Sequence, residues 1–231
     1  MPEQNCSSQT PTGDTDTTVT GTMSLIIGKL ISLFVHETNN HLATLRESAG
    51  LGDDIISAQN LTEKEKLKEL EKLLAAMDDR MGHATSLVRA FGEFGRHMEN
   101  PGTAMDINKA IDGIMPFLSK IARQKNLSIR TAYGNDLPPA AGHVSGLQCL
   151  VLALFDNFCT AREPQATATI TTEKTALSAV ITLTADNTAT SDSGKQPWPW
   201  KTLETFAVAN GFEVAEQQGG AVTIIIKKKN S

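Results

Sequence analysis

Cysteine, positive charge and long apolar runs are all in short supply in this chain. Three cysteines build no disulfide framework; Cys149 and Cys159 fall ten residues apart within one predicted helix, and Cys6 stands alone. Reduced thiols in a cytoplasmic protein are expected. The net charge is −5, which argues against nucleic acid as the main partner. The longest apolar run, Ser24 to Val35, carries Lys29 and falls short of the roughly 20 residues that a membrane span needs. The start of the chain lacks the positive and apolar regions of a signal peptide, so no membrane partner is expected. Residues 1–22 hold seven threonines and three acidic residues, no Lys or Arg, and Val19 as their only branched aliphatic. They cannot bury enough apolar surface to offset their ordering entropy and are expected to form a disordered tail. The remaining length accommodates two units of about 100 residues each, with no space for a further sensor or DNA-binding domain.

What is present begins with helical periodicity. From Met23 to about Ala49, Ile27, Leu30, Ile31, Phe34, Leu42 and Leu45 cluster along one helical line, and Gly50 and Gly52 should end the helix. Thr62 with Glu65 forms the pattern of a capping box. Behind it Leu67, Leu70, Leu74, Met77, Met81, Ala84, Val88 and Phe91 alternate at spacings of three and four, a heptad seam. Residues 23–98 therefore read as an antiparallel helical hairpin. One hairpin leaves apolar surface uncovered, so a homodimer forming a four-helix bundle is expected, with packing on the chain's own C-terminal unit as the alternative.

Residues 105–231 read as an α/β sandwich. Asp106 should cap a helix to about Gln124 kinked at Pro116, followed by a strand over 127–133 and a helix from Val144 to about Thr160. A hairpin over 166–184, a helix near Lys201–Asn210 and two closing strands complete the pattern, and Lys227-Lys228-Lys229 reads as a charged, pairing-averse edge.

His36 lies opposite the Ile27 line, on a face shared with Lys29, Asn40, Ala43 and Glu47. A zinc-type HExxH is excluded because position 40 is asparagine. An outward neutral imidazole can attack phosphorus when one ring nitrogen is free and the other is held by an acceptor; Glu37 could be that acceptor or a base that removes the proton, and Asn40, one turn along, could orient the incoming phosphoryl group. The bland alternative is a solvated surface histidine.

His36-Glu37-Thr38-Asn39-Asn40 resembles the H-box of two-component histidine kinases, His-Glu-x-x-Asn on the first helix of a dimeric hairpin. Ser86 to Phe91 resembles that family's second helix, and the element order of the C-terminal half resembles its ATPase domain. The resemblance implies that His36 is the phosphoacceptor, that Glu37 assists and that Asn40 lies close by. It places Asn157 at the magnesium-holding asparagine and Asp186 at the adenine-binding aspartate. Thr188 replaces the glycine that follows, the lid and second glycine-rich box are missing, and Ala153 replaces an earlier asparagine. Asn157 and Asp186 are therefore expected to be vestigial unless nucleotide binds. Trp198 and Trp200, where the lid should be, either plug the vacant cleft or dock a partner.

The resemblance thus implies a stand-alone histidine phosphotransferase exchanging phosphoryl groups with receiver-domain aspartates, without a cofactor of its own. An ATP- and magnesium-dependent autokinase with a reduced lid, and a receiver-binding scaffold without catalysis, are the alternatives.

Overall fold

The computed structural model describes residues 12–99, 105–140, 142–176, 178–187, 196–217 and 220–227, with side chains from residue 17 onward. Two long helices come first, α1 (Thr12–Ser57) and α2 (Glu63–Glu99). They are followed by α3 (Ile107–Asp112), α4 (Met115–Gln124), β1 (Ser128–Tyr133), α5 (Val144–Thr160), β2 (Thr167–Lys174) and β3 (Ser178–Ala185). The chain closes with α6 (Trp200–Ala209), β4 (Phe212–Glu216) and β5 (Val222–Lys227).

A long helical hairpin followed by a mixed α/β sheet is the architecture. The five strands are ordered β1-β2-β3-β5-β4, with β1 parallel to β2 and every other pairing antiparallel. Alternation along β2 and β3 sends Ala168, Ile170, Thr172, Ala179, Ile181 and Leu183 inward while Thr167, Thr169, Thr171, Thr182 and Thr184 take the other face. The core helix is α5, buried from Ser145 to Cys159 and in contact with both hairpin helices as well as α3, α4 and α6. Burial raises both of its thiols, Cys149 and Cys159, to about 12, which leaves them protonated and inert. Cys6 lies outside the described residues.

The capping box forms as read. The Thr62 amide and hydroxyl both donate to Glu65 Oε2, at 2.8 and 2.7 Å, and α2 starts there. Phe34 and Phe91 stack across the hairpin at 4.3 Å between ring centroids.

Several expectations need correction. The tail does not extend over 1–22, because α1 begins at Thr12; Thr22 is buried, and Val19 and Met23 pack against the core. The C-terminal unit supplies the apolar contact that this threonine-rich segment lacks by itself. Residues 1–11 lie outside the described part. Gly50 and Gly52 do not stop α1, which runs on to Ser57; a Cβ at Gly52 would meet Leu73 Cδ2 at 3.4 Å, so close packing on α2 carries the helix through. Asp106 caps α3 as expected, accepting from the Lys109 amide at 3.1 Å, but the helix breaks at Gly113 rather than kinking. Pro116 falls in the first turn of α4, where its missing N–H costs nothing. Lys227 is on an interior strand and pairs with Glu213 at 2.7 Å, while Lys228 and Lys229 lie outside the described residues.

The buried stripe of α1 is also rotated from the expected line. It runs Thr22, Ile26, Leu30, Leu33, Glu37, His41, whereas Ile31 and Leu42 are exposed. The C-terminal unit covers this side of the hairpin, and that docking sets the burial. By composition, Thr17–Ser57 includes a window of mean hydropathy 1.6, long and apolar enough to cross a membrane; the expectation above counted only the uninterrupted run. In the structure part of this apolar surface packs on α5 and α6.

Candidate functional site

His36 projects from the exposed side of α1, one turn before Asn40. The Asn40 amide lies 3.0 Å from His36 Nδ1, with Nδ2 as the contacting atom. In that orientation Nδ1 accepts and the ring proton sits on Nε2. Turning the exposed amide over is nearly isosteric, and Oδ1 then accepts Nδ1–H while the Nε2 lone pair faces solvent. That second arrangement is a neutral imidazole ready to act as a nucleophile.

Glu37, expected to hold or deprotonate this ring, points elsewhere. It is buried, and its carboxylate pairs with Lys120 through Oε2 and with Arg123 Nη2 through Oε1 at 2.9 Å. Successive helical positions diverge by about 100°, so once α4 covers the Glu37 side, His36 is left outside. Burial works to raise the Glu37 carboxyl, but the two cations outweigh it and hold the group below the ordinary carboxylate range. His41 is buried on the same side, with Nε2 at 4.0 Å from Glu37 Oε1. Desolvation lowers its pKa, and Arg80, His83 and Arg123 push the same way against Glu37. Asn40 is thus the residue at the His36 ring, and Glu37 joins hairpin to C-terminal unit.

The second expected site is occupied by the chain itself. Both atoms of the buried Asn157 amide bond the Trp198 backbone: Nδ2 donates to its carbonyl at 2.7 Å, and Oδ1 accepts its N–H at 2.9 Å. The adjacent Asp156 carboxylate accepts from the Trp198 indole at 3.1 Å and lies 3.6 Å from Lys29 Nζ on α1. Trp198 and Trp200 both pack against the core, and the Trp200 indole donates to Glu204 at 2.7 Å. The cavity left beside Asn157 is about 50 Å³, against several hundred for a typical small-molecule site. Asp186 sits at the end of β3, where Oδ1 accepts the Thr167 amide at 2.8 Å; that hydrogen bond holds its pKa down. Thr188 and Gly194 lie outside the described residues. The Asn157 amide and one Asp186 carboxylate oxygen are thus hydrogen-bonded within the fold. Among the described residues no group of three or more His, Cys, Asp or Glu side chains is arranged for a metal ion.

Solved structures that resemble this chain include histidine kinases. The Acinetobacter baumannii histidine kinase AdeS has 15% identity and a TM-score of 0.45, covering 84% of this chain and 98% of its own. The histidine kinase ThkA in complex with the response regulator protein TrrA has 13% identity and a TM-score of 0.46, covering 98% of this chain and 68% of its own. Full-length ShkA in complex with AMPPNP has 13% identity and a TM-score of 0.44, covering 86% and 46% respectively. No protein-family model matches the chain, and no curated protein matches it.

Sequence reasoning missed Lys120, Arg123 and Asp156. Lys120 and Arg123 stand three apart on α4, a spacing that puts them on one helix face and was a usable signal for a carboxylate partner.

Proposed function

We propose that this chain is a histidine phosphotransferase that moves phosphoryl groups between His36 and the aspartates of receiver domains. The observation that carries the reading is the exposed His36 ring with Asn40 at Nδ1, on a helix whose neighbouring carboxylate is committed elsewhere. The Nε2 lone pair attacks the aspartyl phosphate, the bond from phosphorus to the aspartate oxygen breaks, and the carboxylate leaves. Phosphohistidine results, with Nδ1–H shared to Asn40 Oδ1; donation to a second receiver is the reverse step. Magnesium belongs to the receiver's acidic pocket in this scheme. The closure of the Asn157 cleft by Trp198 supports an external source of phosphate.

The test is incubation with a labelled phospho-receiver. Acid-labile label is expected on the chain and absent from His36→Ala; transfer from no cognate receiver, or transfer undiminished in His36→Ala, would overturn the proposal.

The same reading includes a homodimer. Leu67, Leu74, Met81 and Val88, half of the heptad seam, remain exposed by 48 to 64%, while Leu70, Met77, Ala84 and Phe91 are partly buried. A second hairpin burying the exposed half completes a four-helix bundle. Sedimentation should show a dimer, and Leu74→Glu with Met81→Glu should yield monomer; a monomeric wild-type chain would contradict it.

A further inference from the structure

A cavity of about 520 Å³ lies where the hairpin meets the C-terminal unit, on the Glu37 side of α1 and away from His36. Nothing in the transfer reaction uses it. Arg80 and His83 reach it from α2, Arg123 from α4 and His41 from α1, with the hydroxyls of Ser86 and Ser119 between them. Its apolar wall is Leu87, Met115 and Pro116.

The charges around it are unevenly matched. Glu37 is already neutralised by Lys120 and Arg123. Asp112, at the rim, accepts the Tyr133 hydroxyl at 2.9 Å. Arg80 has no ion-pair partner among the described residues, and Arg123 commits one amino group and leaves the rest of its fork exposed. His83 is held through Nδ1, 2.9 Å from the Asp79 carbonyl and 3.5 Å from the Asp79 carboxylate, so the donors left for an anion are the guanidinium groups and the hydroxyls. Guanidinium forks and hydroxyls converging from α2 and α4 suit a tetrahedral anion. The volume exceeds what inorganic phosphate fills, and the wall is apolar, so the headgroup must carry a compact apolar body.

We propose that this cavity binds a phosphate monoester of a small apolar group, with Arg80 as its principal anchor. Because the ligand touches α1, α2 and α4 together, its binding holds the hairpin and the C-terminal unit against each other. The proposal does not depend on phosphate transfer at His36.

The experiment is titration of the full chain with phenyl phosphate, inorganic phosphate and benzoate, followed by amide NMR shifts and by the thermal midpoint. Phenyl phosphate is expected to bind with a Kd below about 1 mM, at least about tenfold tighter than either other probe. Its largest shifts should fall at His83, Ser86 and Ser119, with a raised midpoint. Arg80→Gln should weaken binding at least about tenfold, Ser119→Ala should weaken it less, and Arg46→Gln, remote on α1, should leave it unchanged. No shift at about 10 mM, equal binding of inorganic phosphate, tighter binding of benzoate, or full affinity in Arg80→Gln would each overturn the assignment.

Discussion

His36 and Asn157 are both polar residues on long helices where the histidine kinase resemblance places chemistry, and the fold treats them in opposite ways. His36 is exposed, and its partner among the described residues, Asn40, is a small amide that can turn over. Asn157 is buried, and both of its amide atoms are locked onto the Trp198 backbone. A buried amide hydrogen-bonded within the fold stabilises it, and a ligand that displaced Trp198 would have to break those bonds. An exposed ring with a free edge can meet a partner without any such cost.

The comparison can be broken at its connecting residue first. Glu37→Gln removes the charge that faces Lys120 and Arg123 and should cost about 2–3 kcal/mol in urea denaturation, with Arg123's share reduced by its exposure. Faster hydrogen exchange in α4 should accompany the loss. Transfer to His36 should stay within about threefold of wild type, well short of the 10²–10⁴-fold that removing a general base costs. A collapse of transfer in a folded Glu37→Gln protein would return Glu37 to the chemistry.

Asn157→Ala should come next, at about 1–2 kcal/mol, because the Trp198 N–H and carbonyl lose their partners. Calorimetry with ATP and magnesium should show no micromolar binding to the wild-type chain; micromolar affinity abolished by Asn157→Ala would reverse the structural assignment of that residue.

The smallest effect concerns His41. Its folded pKa lies below the unfolded value, so between the two the unfolded chain binds more protons and stability falls as pH drops. Stability should decline from about pH 6.5 downward by at most about 1.4 kcal/mol per pH unit for this one group. His41→Gln should flatten that slope, while the Glu37 ion pairs are lost only at more acidic pH, through the carboxylate range. A slope unchanged in His41→Gln would remove His41 from this role.

Local structure was legible where one segment decides it. The Thr62–Glu65 box, the extent of α5 and the strand pairs β2–β3 and β4–β5 follow from capping, periodicity and alternation within the segments themselves. The outward direction of His36 was readable for the same reason. The run of α1 through Gly50 and back to Thr12 was not, because contacts with α2 and with the C-terminal unit decide it. Nor was the role of Glu37, whose partners Lys120 and Arg123 lie more than eighty residues away. Nor was the pairing of the Trp198 main chain with the Asn157 amide, forty-one residues away in sequence.

The most direct measurement compares wild type, His36→Gln and Asn157→Ala side by side for the rate of phosphoryl transfer from one phospho-receiver, below the melting range of all three. The account predicts transfer in wild type and Asn157→Ala at similar rates, and none in His36→Gln. Label appearing on His36→Gln, or loss of transfer in a folded Asn157→Ala protein, would contradict it.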